Sequence, residues 1–171
     1  YIPSTISKRN VTIDISIPST NSNQYSFVII DNFFELMNFK KNIQNINFAP
    51  DVNITNIGNN AFRNCSILSP SISIINSNSQ TIYVGKKAFE NTNITSFSIE
   101  SNQPIIPVYI DENAFLNSKK LNNIYIHATS WIAYDYAFSG LNENLRLTTI
   151  CNSFSLGANV FANDYQSLLL G

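Results

Sequence analysis

The sequence predicts a β-rich α/β solenoid of about six rungs, with short strands on one side and single helical or 3-10 turns on the other. Three observations carry this. First, an Ala-Phe pair recurs at Ala61-Phe62, Ala88-Phe89, Ala114-Phe115 and Ala137-Phe138, with Phe33-Phe34 as an early variant and Val160-Phe161 as a late one. The steps between the second members, from Phe34 onward, are 28, 27, 26, 23 and 23 residues, a period that belongs to stacked repeats. Second, Asn64, Asn91, Asn117, Gly140 and Asn163 stand two residues after the phenylalanines. Asparagine and glycine exchange where the backbone needs positive φ, so the column predicts a helical turn closed by a left-handed cap. Third, apolar residues two apart follow each cap and predict half-buried strands.

Taken in order along one repeat, the strand comes first. Ile46 and Phe48, Ile72 and Ile74, Phe97 and Ile99, Ile124 and Ile126, and Leu145 and Leu147 supply its inward positions. A connection leads to Ile57, Val84, Ile110, Ala133 and Leu156, five residues before each phenylalanine. In three copies a glycine follows at once, as Gly58, Gly85 and Gly157, and is read as the bend into the turn. The turn carries Ala-Phe inward and the cap ends it. Before the repeats, Val11, Ile13, Ile15 and Ile17 alternate with polar residues and meet Pro18, which reads as a strand ending in a turn. The expected division is therefore 1–27 as an N-terminal strand, cap or partial repeat, and 28–171 as solenoid. The apolar Leu168-Leu169-Leu170 run is expected to meet further chain or a partner.

The run from Ile57-Gly58-Asn59-Asn60-Ala61-Phe62-Arg63-Asn64-Cys65 to Leu68 resembles the unit of the BspA-like leucine-rich repeats. That unit is isoleucine-glycine, alanine-phenylalanine, cysteine, leucine and an isoleucine-x-isoleucine strand. Ile110 to Phe115 with Leu121, Ile124 and Ile126 is similar to it, and the resemblance covers about residues 28 to 170. The cysteine column departs, holding Cys65, Thr92, Ser118, Leu141 and Asp164. The resemblance implies a right-handed leucine-rich-repeat solenoid on an extracellular or cell-surface protein, binding host or microbial macromolecules such as matrix proteins.

Composition restricts the function classes. Only 12% of the 171 residues are charged and the net charge is −1, which removes the electrostatic drive toward nucleic acid or anionic membrane. No segment reaches the roughly 18 apolar residues of a membrane span. Polarity comes from amides and hydroxyls, asparagine alone numbering 27. The chain begins at Tyr1 without a signal peptide, as expected of a mature portion of a longer precursor. Cys65 and Cys151 fall about three rungs apart, roughly 14 Å, beyond the roughly 7 Å limit for a bridge, so both are expected as free thiols. With one histidine and two distant cysteines, neither a metal site nor a cofactor is expected.

Alternation sends Asn47, Ser73, Ser98, Tyr125 and Arg146 outward as one column, and Glu100, His127 and Thr148 as a second. Ser98, His127 and Glu100 make a hydrolase constellation on paper. An open strand face neither excludes water nor preorganises an oxyanion hole, so a solvated Glu100–His127 pair is the simpler expectation. For ligand contact, Tyr125, Arg146 and Trp131 stand out because these residue types dominate interface energetics. Trp131, Tyr134 and Tyr136 also have a packing explanation. The expected function is non-catalytic recognition through the strand face. The alternatives are a structural spacer or end-to-end self-association module and, remotely, a hydrolase using His127.

Overall fold

The computed structural model describes residues 11–15, 26–33, 43–48, 53–65, 71–76, 80–101, 106–162 and 169–170. Each repeat contributes two strands, and like strands stack in parallel register. One sheet of six runs in the order β12 (Ser153–Leu156), β10 (Ser130–Ala133), β8 (Pro107–Ile110), β6 (Ile82–Val84), β4 (Asn53–Ile57) and β2 (Ser26–Ile29). The other, of five, runs β13 (Leu169–Leu170), β11 (Arg146–Ile150), β9 (Asn123–His127), β7 (Ser96–Ser101) and β5 (Ser71–Asn76). Separately, β1 (Val11–Ile15) pairs in parallel with β3 (Ile43–Phe48). The five-stranded sheet and the β1–β3 pair contain the strands expected from period-two alternation. The six-stranded sheet occupies what was expected to be connection.

Between the two sheets lies one apolar core, and the Ala-Phe turns close it on a third side. Phe62, Phe89, Phe115 and Phe138 are fully buried and stack with Phe161 in one column. Successive ring centroids are 5.0, 5.0, 5.5 and 5.4 Å apart, close to the spacing of the strands themselves. Burying one such ring is worth about 1.5–3 kcal/mol, with a further contribution from stacking geometry. Cys65 is buried in the core, Cys151 is half-buried against it, and both are free thiols.

The turns are not helical. Both the second residue before and the second after each phenylalanine have positive φ: Asn60 and Asn64, Lys87 and Asn91, Asn113 and Asn117, Tyr136 and Gly140, all between 55° and 68°. The later column was expected; the earlier one was not. A left-handed residue ahead of Ala-Phe breaks the right-handed run that a helical turn needs, so the backbone folds as consecutive turns instead. Ala61, Arg63 and Cys65 donate to the carbonyls of Gly58, Asn60 and Phe62. The intervening amides of Asn60, Phe62 and Asn64 donate to Lys86, Ala88 and Glu90 on the next rung, at 2.8–2.9 Å. The same alternation repeats down the stack: at these three positions of each turn the inter-rung bond runs from an earlier donor to a later acceptor, while the residue that opens the turn donates back, as Gly58 does to Ile29 and Gly85 to Ile57. Asn163, the last expected cap, lies outside the described residues.

Gly58, Gly85 and Gly157 do not serve the turn through backbone freedom; they make room for the backbone and the Asp or Asn side chain of the previous rung. A Cβ on Gly85 would stand 2.8 Å from the backbone nitrogen of Asn59, and one on Gly58 would stand 2.5 Å from that of Asp31. Asp31, Asn59 and Asp135 each place Oδ1 there to accept the amide of the residue after the glycine, Asn59, Lys86 and Ala158, at 2.7, 2.8 and 2.7 Å. Where the earlier rung offers Lys86, which cannot accept, the glycine is replaced by Asp111. Its own Oδ1 then takes the Glu112 amide at 2.6 Å.

Candidate functional site

The outer face of the five-stranded sheet is set by strand alternation. Ile72 and Ile74, Phe97 and Ile99, Ile124 and Ile126 are buried, so the residues between and beside them face out. Register aligns Ser71, Ser96, Asn123 and Arg146 across one row, and Ser73, Ser98, Tyr125 and Thr148 across the next. A third row pairs Ile75 with Glu100 and His127 with Ile150. Glu100, Asn123 and Arg146 are exposed; Ser98, Tyr125, His127 and Thr148 are half-buried.

This register corrects the expected columns in the last rung. Arg146 lies opposite Asn123 rather than Tyr125, and Thr148 opposite Tyr125 rather than His127. The inward pair there is Leu147 and Thr149, aligned with Ile124 and Ile126, whereas the Leu145/Leu147 alternation suggested a slip of two residues. Leu145 instead closes a turn through its amide to the Asn142 carbonyl, 3.1 Å. The slip preserves parity, so the outward residues remain outward. Asn47 belongs to β3 and is opposite Asp14 on β1.

No hydrogen bond or ion pair joins Ser98, Glu100 and His127 among the described residues, so the nucleophile–base contact that a hydrolase triad requires is not formed. Nor does any group of three His, Cys, Asp or Glu side chains suited to a metal ion occur among them. Trp131 leaves the contact surface altogether. It is 1% exposed, points inward from β10, and stacks on Phe154 at 5.5 Å. Its ring nitrogen is buried without a hydrogen-bond partner. Tyr134 and Tyr136, expected to pack, are instead exposed.

The third face carries two ion pairs. Lys86 and Glu112 pair at 2.7 Å with both side chains a little under half exposed. Their hydrogen bond raises the Lys86 amine above its ordinary 10.5 and lowers the Glu112 carboxyl below its ordinary 4.5. Arg63 and Glu90 pair at 2.7 Å with the carboxylate largely buried. These contacts tie adjacent rungs together rather than converging on a ligand.

With the geometry established, comparison with known proteins is specific. Residues 29–167 match the BspA type leucine-rich repeat region in six copies. The chain belongs to this family. No curated protein and no solved structure matches it. The BspA-type repeat accounts for the phenylalanine column and the strand face, and it is a protein-interaction or repeat module. Solenoids of this kind are typically non-catalytic scaffolds, and the BspA-type family is usually surface-associated. Among the described residues no helix is long and apolar enough to cross a membrane.

The sequence did not identify the outer face of the six-stranded sheet as a surface at all. Its outward column reads Val28, Asn56, Tyr83, Tyr109, Ile132 and Ser155. Tyr83 and Tyr109 stack at 5.0 Å. The signal was present as Ile82-Tyr83-Val84 and Val108-Tyr109-Ile110, two strands with aromatic outward residues.

Proposed function

We propose that the protein is a non-catalytic recognition module of a surface protein, binding a macromolecule, with matrix proteins the first candidates, through the outer face of the five-stranded sheet. The observation that carries this is the contrast between scaffold and face. Behind the strands the same residues recur from rung to rung. On the face, serine gives way to Asn123, Tyr125, His127 and Arg146 across three adjacent strands. Amides and hydroxyls supply directional hydrogen bonds, while a tyrosine and an arginine supply the contact types that concentrate binding energy.

Immobilised matrix proteins offered to the monomer test the proposal by surface plasmon resonance. Replacing Tyr125→Ala together with Arg146→Ala is expected to weaken capture by about tenfold or more. Undiminished binding by the double variant sinks the assignment of this face.

Self-association is the second reading. Phe154 and Leu156 continue the inward columns of Trp131 and Ala133 yet are 52% and 39% exposed. A mass by light scattering that rises with concentration supports it, and a constant monomer mass removes it.

A further inference from the structure

At the β12 end the two sheets stop at different rungs. β11 and β12 belong to one repeat, and β13 pairs with β11, so the five-stranded sheet runs one rung beyond β12. The outer edge of β12 pairs with no strand among the described residues. This leaves a notch one strand wide, about 4.8 Å. Phe154 and Leu156 lie at it. They continue the inward columns of Val108 and Trp131 and of Ile110 and Ala133, whose members are at most 1% exposed, yet are themselves 52% and 39% exposed.

The backbone specifies what fits there. Down the stack, the amide that opens each turn donates back to the end of the preceding strand: Gly58 to Ile29, Gly85 to Ile57, Asp111 to Val84, Tyr134 to Ile110 and Gly157 to Ala133. The next carbonyl in that series, Leu156, has no donor among the described residues. The turn amides of Asn159 and Phe161 likewise have no acceptor among them, although their counterparts Asn60 and Phe62 donate to Lys86 and Ala88 of the next rung. An occupant must therefore offer one amide, then carbonyls from the residues one and three places later, as Gly85, Lys86 and Ala88 do. That is the backbone pattern of the repeat itself, and it continues an interface already formed between every pair of rungs.

We propose that this notch accepts an extended segment of another protein carrying the strand and turn of such a repeat, added in parallel beside β12. Main-chain bonds to the sheet edge supply affinity and alternate side chains supply specificity. Two apolar residues of the segment cover Phe154 and Leu156, and its phenylalanine stacks on Phe161. The open rung also dictates a residue. Glycine opens the turn where the earlier rung provides Asp31, Asn59 or Asp135 to accept the following amide. After Lys86, which cannot accept, Asp111 stands there and its own Oδ1 accepts instead. The corresponding residue on the rung of β12 is Ala158, which has no side-chain acceptor either. The segment that fits thus has aspartate, not glycine, after its second apolar residue and Ala-Phe three places on, as in Val108 to Phe115 of this chain. A second folded copy fits less well, because β1 stands to β2 as β3 stands to β4. A copy bringing β2 to the notch would bring β1 to the place held by β13.

Calorimetric titration of the full chain with a synthetic peptide of residues 107–117, and with a scrambled peptide of the same composition, tests the proposal. Saturable one-to-one heat is expected from the first peptide alone. Asp111→Gly in the peptide should weaken binding by about fivefold, and Val108→Asp in the peptide should abolish it. Both changes lie in the peptide, so neither can unfold the protein. On titration the amide resonances of Leu156, Asn159 and Phe161 in the protein should shift while the ring protons of Tyr125, on the five-stranded face, do not. Capture of matrix proteins by that face is measured separately, so the two assignments fail separately. Absence of saturable heat, equal heat from the scrambled peptide, unshifted Leu156 and Phe161 amides, or equal affinity of the Asp111→Gly peptide overturns the proposal. So does a mass by light scattering that rises with concentration and is held at the monomer value by the peptide, which assigns the notch to a second copy.

Discussion

Lys87 holds φ at 57° in a column otherwise occupied by asparagine and one tyrosine. A residue with a Cβ and no short polar side chain meets a cost of roughly 1–2 kcal/mol in that region, and Asn60 and Asn113 show what relieves it. Lys87→Asn keeps the amide bond to the Glu112 carbonyl and is expected to stabilise the protein by about 0.5–1 kcal/mol. In a thermal melt the midpoint should rise, and a fall would place the strain elsewhere. Gly85→Ala should act oppositely, because the atoms 2.8 Å from the new Cβ are backbone atoms of Asn59 and Gly58 and cannot swing aside. A loss of about 1–3 kcal/mol is expected from denaturant unfolding; an unchanged midpoint would mean the rungs can part. Of these two columns, the glycine was visible in the sequence but its cause was not, because the cause is the backbone and side chain of a residue on the previous rung, 26 positions earlier for Gly85. The left-handed column before Ala-Phe was obscured because Lys87 and Tyr136 stand among the asparagines.

At the level of strands and turns, the five-stranded sheet was readable because its outward residues are polar. Ser71, Ser73, Ser96 and Ser98 alternate with buried isoleucine and phenylalanine, which gives a clean period of two. In the six-stranded sheet the outward residues are themselves Tyr83, Tyr109 and Ile132. The alternation of polarity is erased there, and strands of three to five residues leave little else to detect. Register in β11 failed for a related reason: Thr149 occupies an inward place opposite Ile126, and a polar residue there offers no hydrophobic signal to count. The supposed helical turn failed because its hydrogen bonds are divided between its own rung and the next, a division no local pattern reports.

For the molecule as a whole, each rung touches only its neighbours, so stability is close to a sum of rungs and interfaces. Phe62 stacks on Phe89 at 5.0 Å, while Phe62 and Phe138 are three rungs apart, about 14 Å. Phe62→Leu combined with Phe138→Leu should therefore be additive within about 0.5 kcal/mol, and Phe62→Leu combined with Phe89→Leu should show a coupling of about 0.5–1.5 kcal/mol. Denaturant titration of the three single variants, the two double variants and wild type measures both, and equal coupling in the two pairs would show that the stack behaves as one undivided core. The repeat itself, and hence the family, could be read from sequence spacing because scaffold residues recur. Binding faces are built from the positions that do not recur, and only strand pairing shows which of those lie together.

The ladder of turns has one more property. In an α-helix the amide hydrogens point toward the N-terminus, which makes that end positive. Along this face the amides of Asn60, Phe62 and Asn64, and their counterparts on later rungs, point the other way. Three such dipoles per rung outnumber the one amide at the turn's opening that points back, as Gly58 does to Ile29, so they polarise this face with its positive pole toward the later repeats, and a charged partner meets a surface that differs in potential from one end to the other.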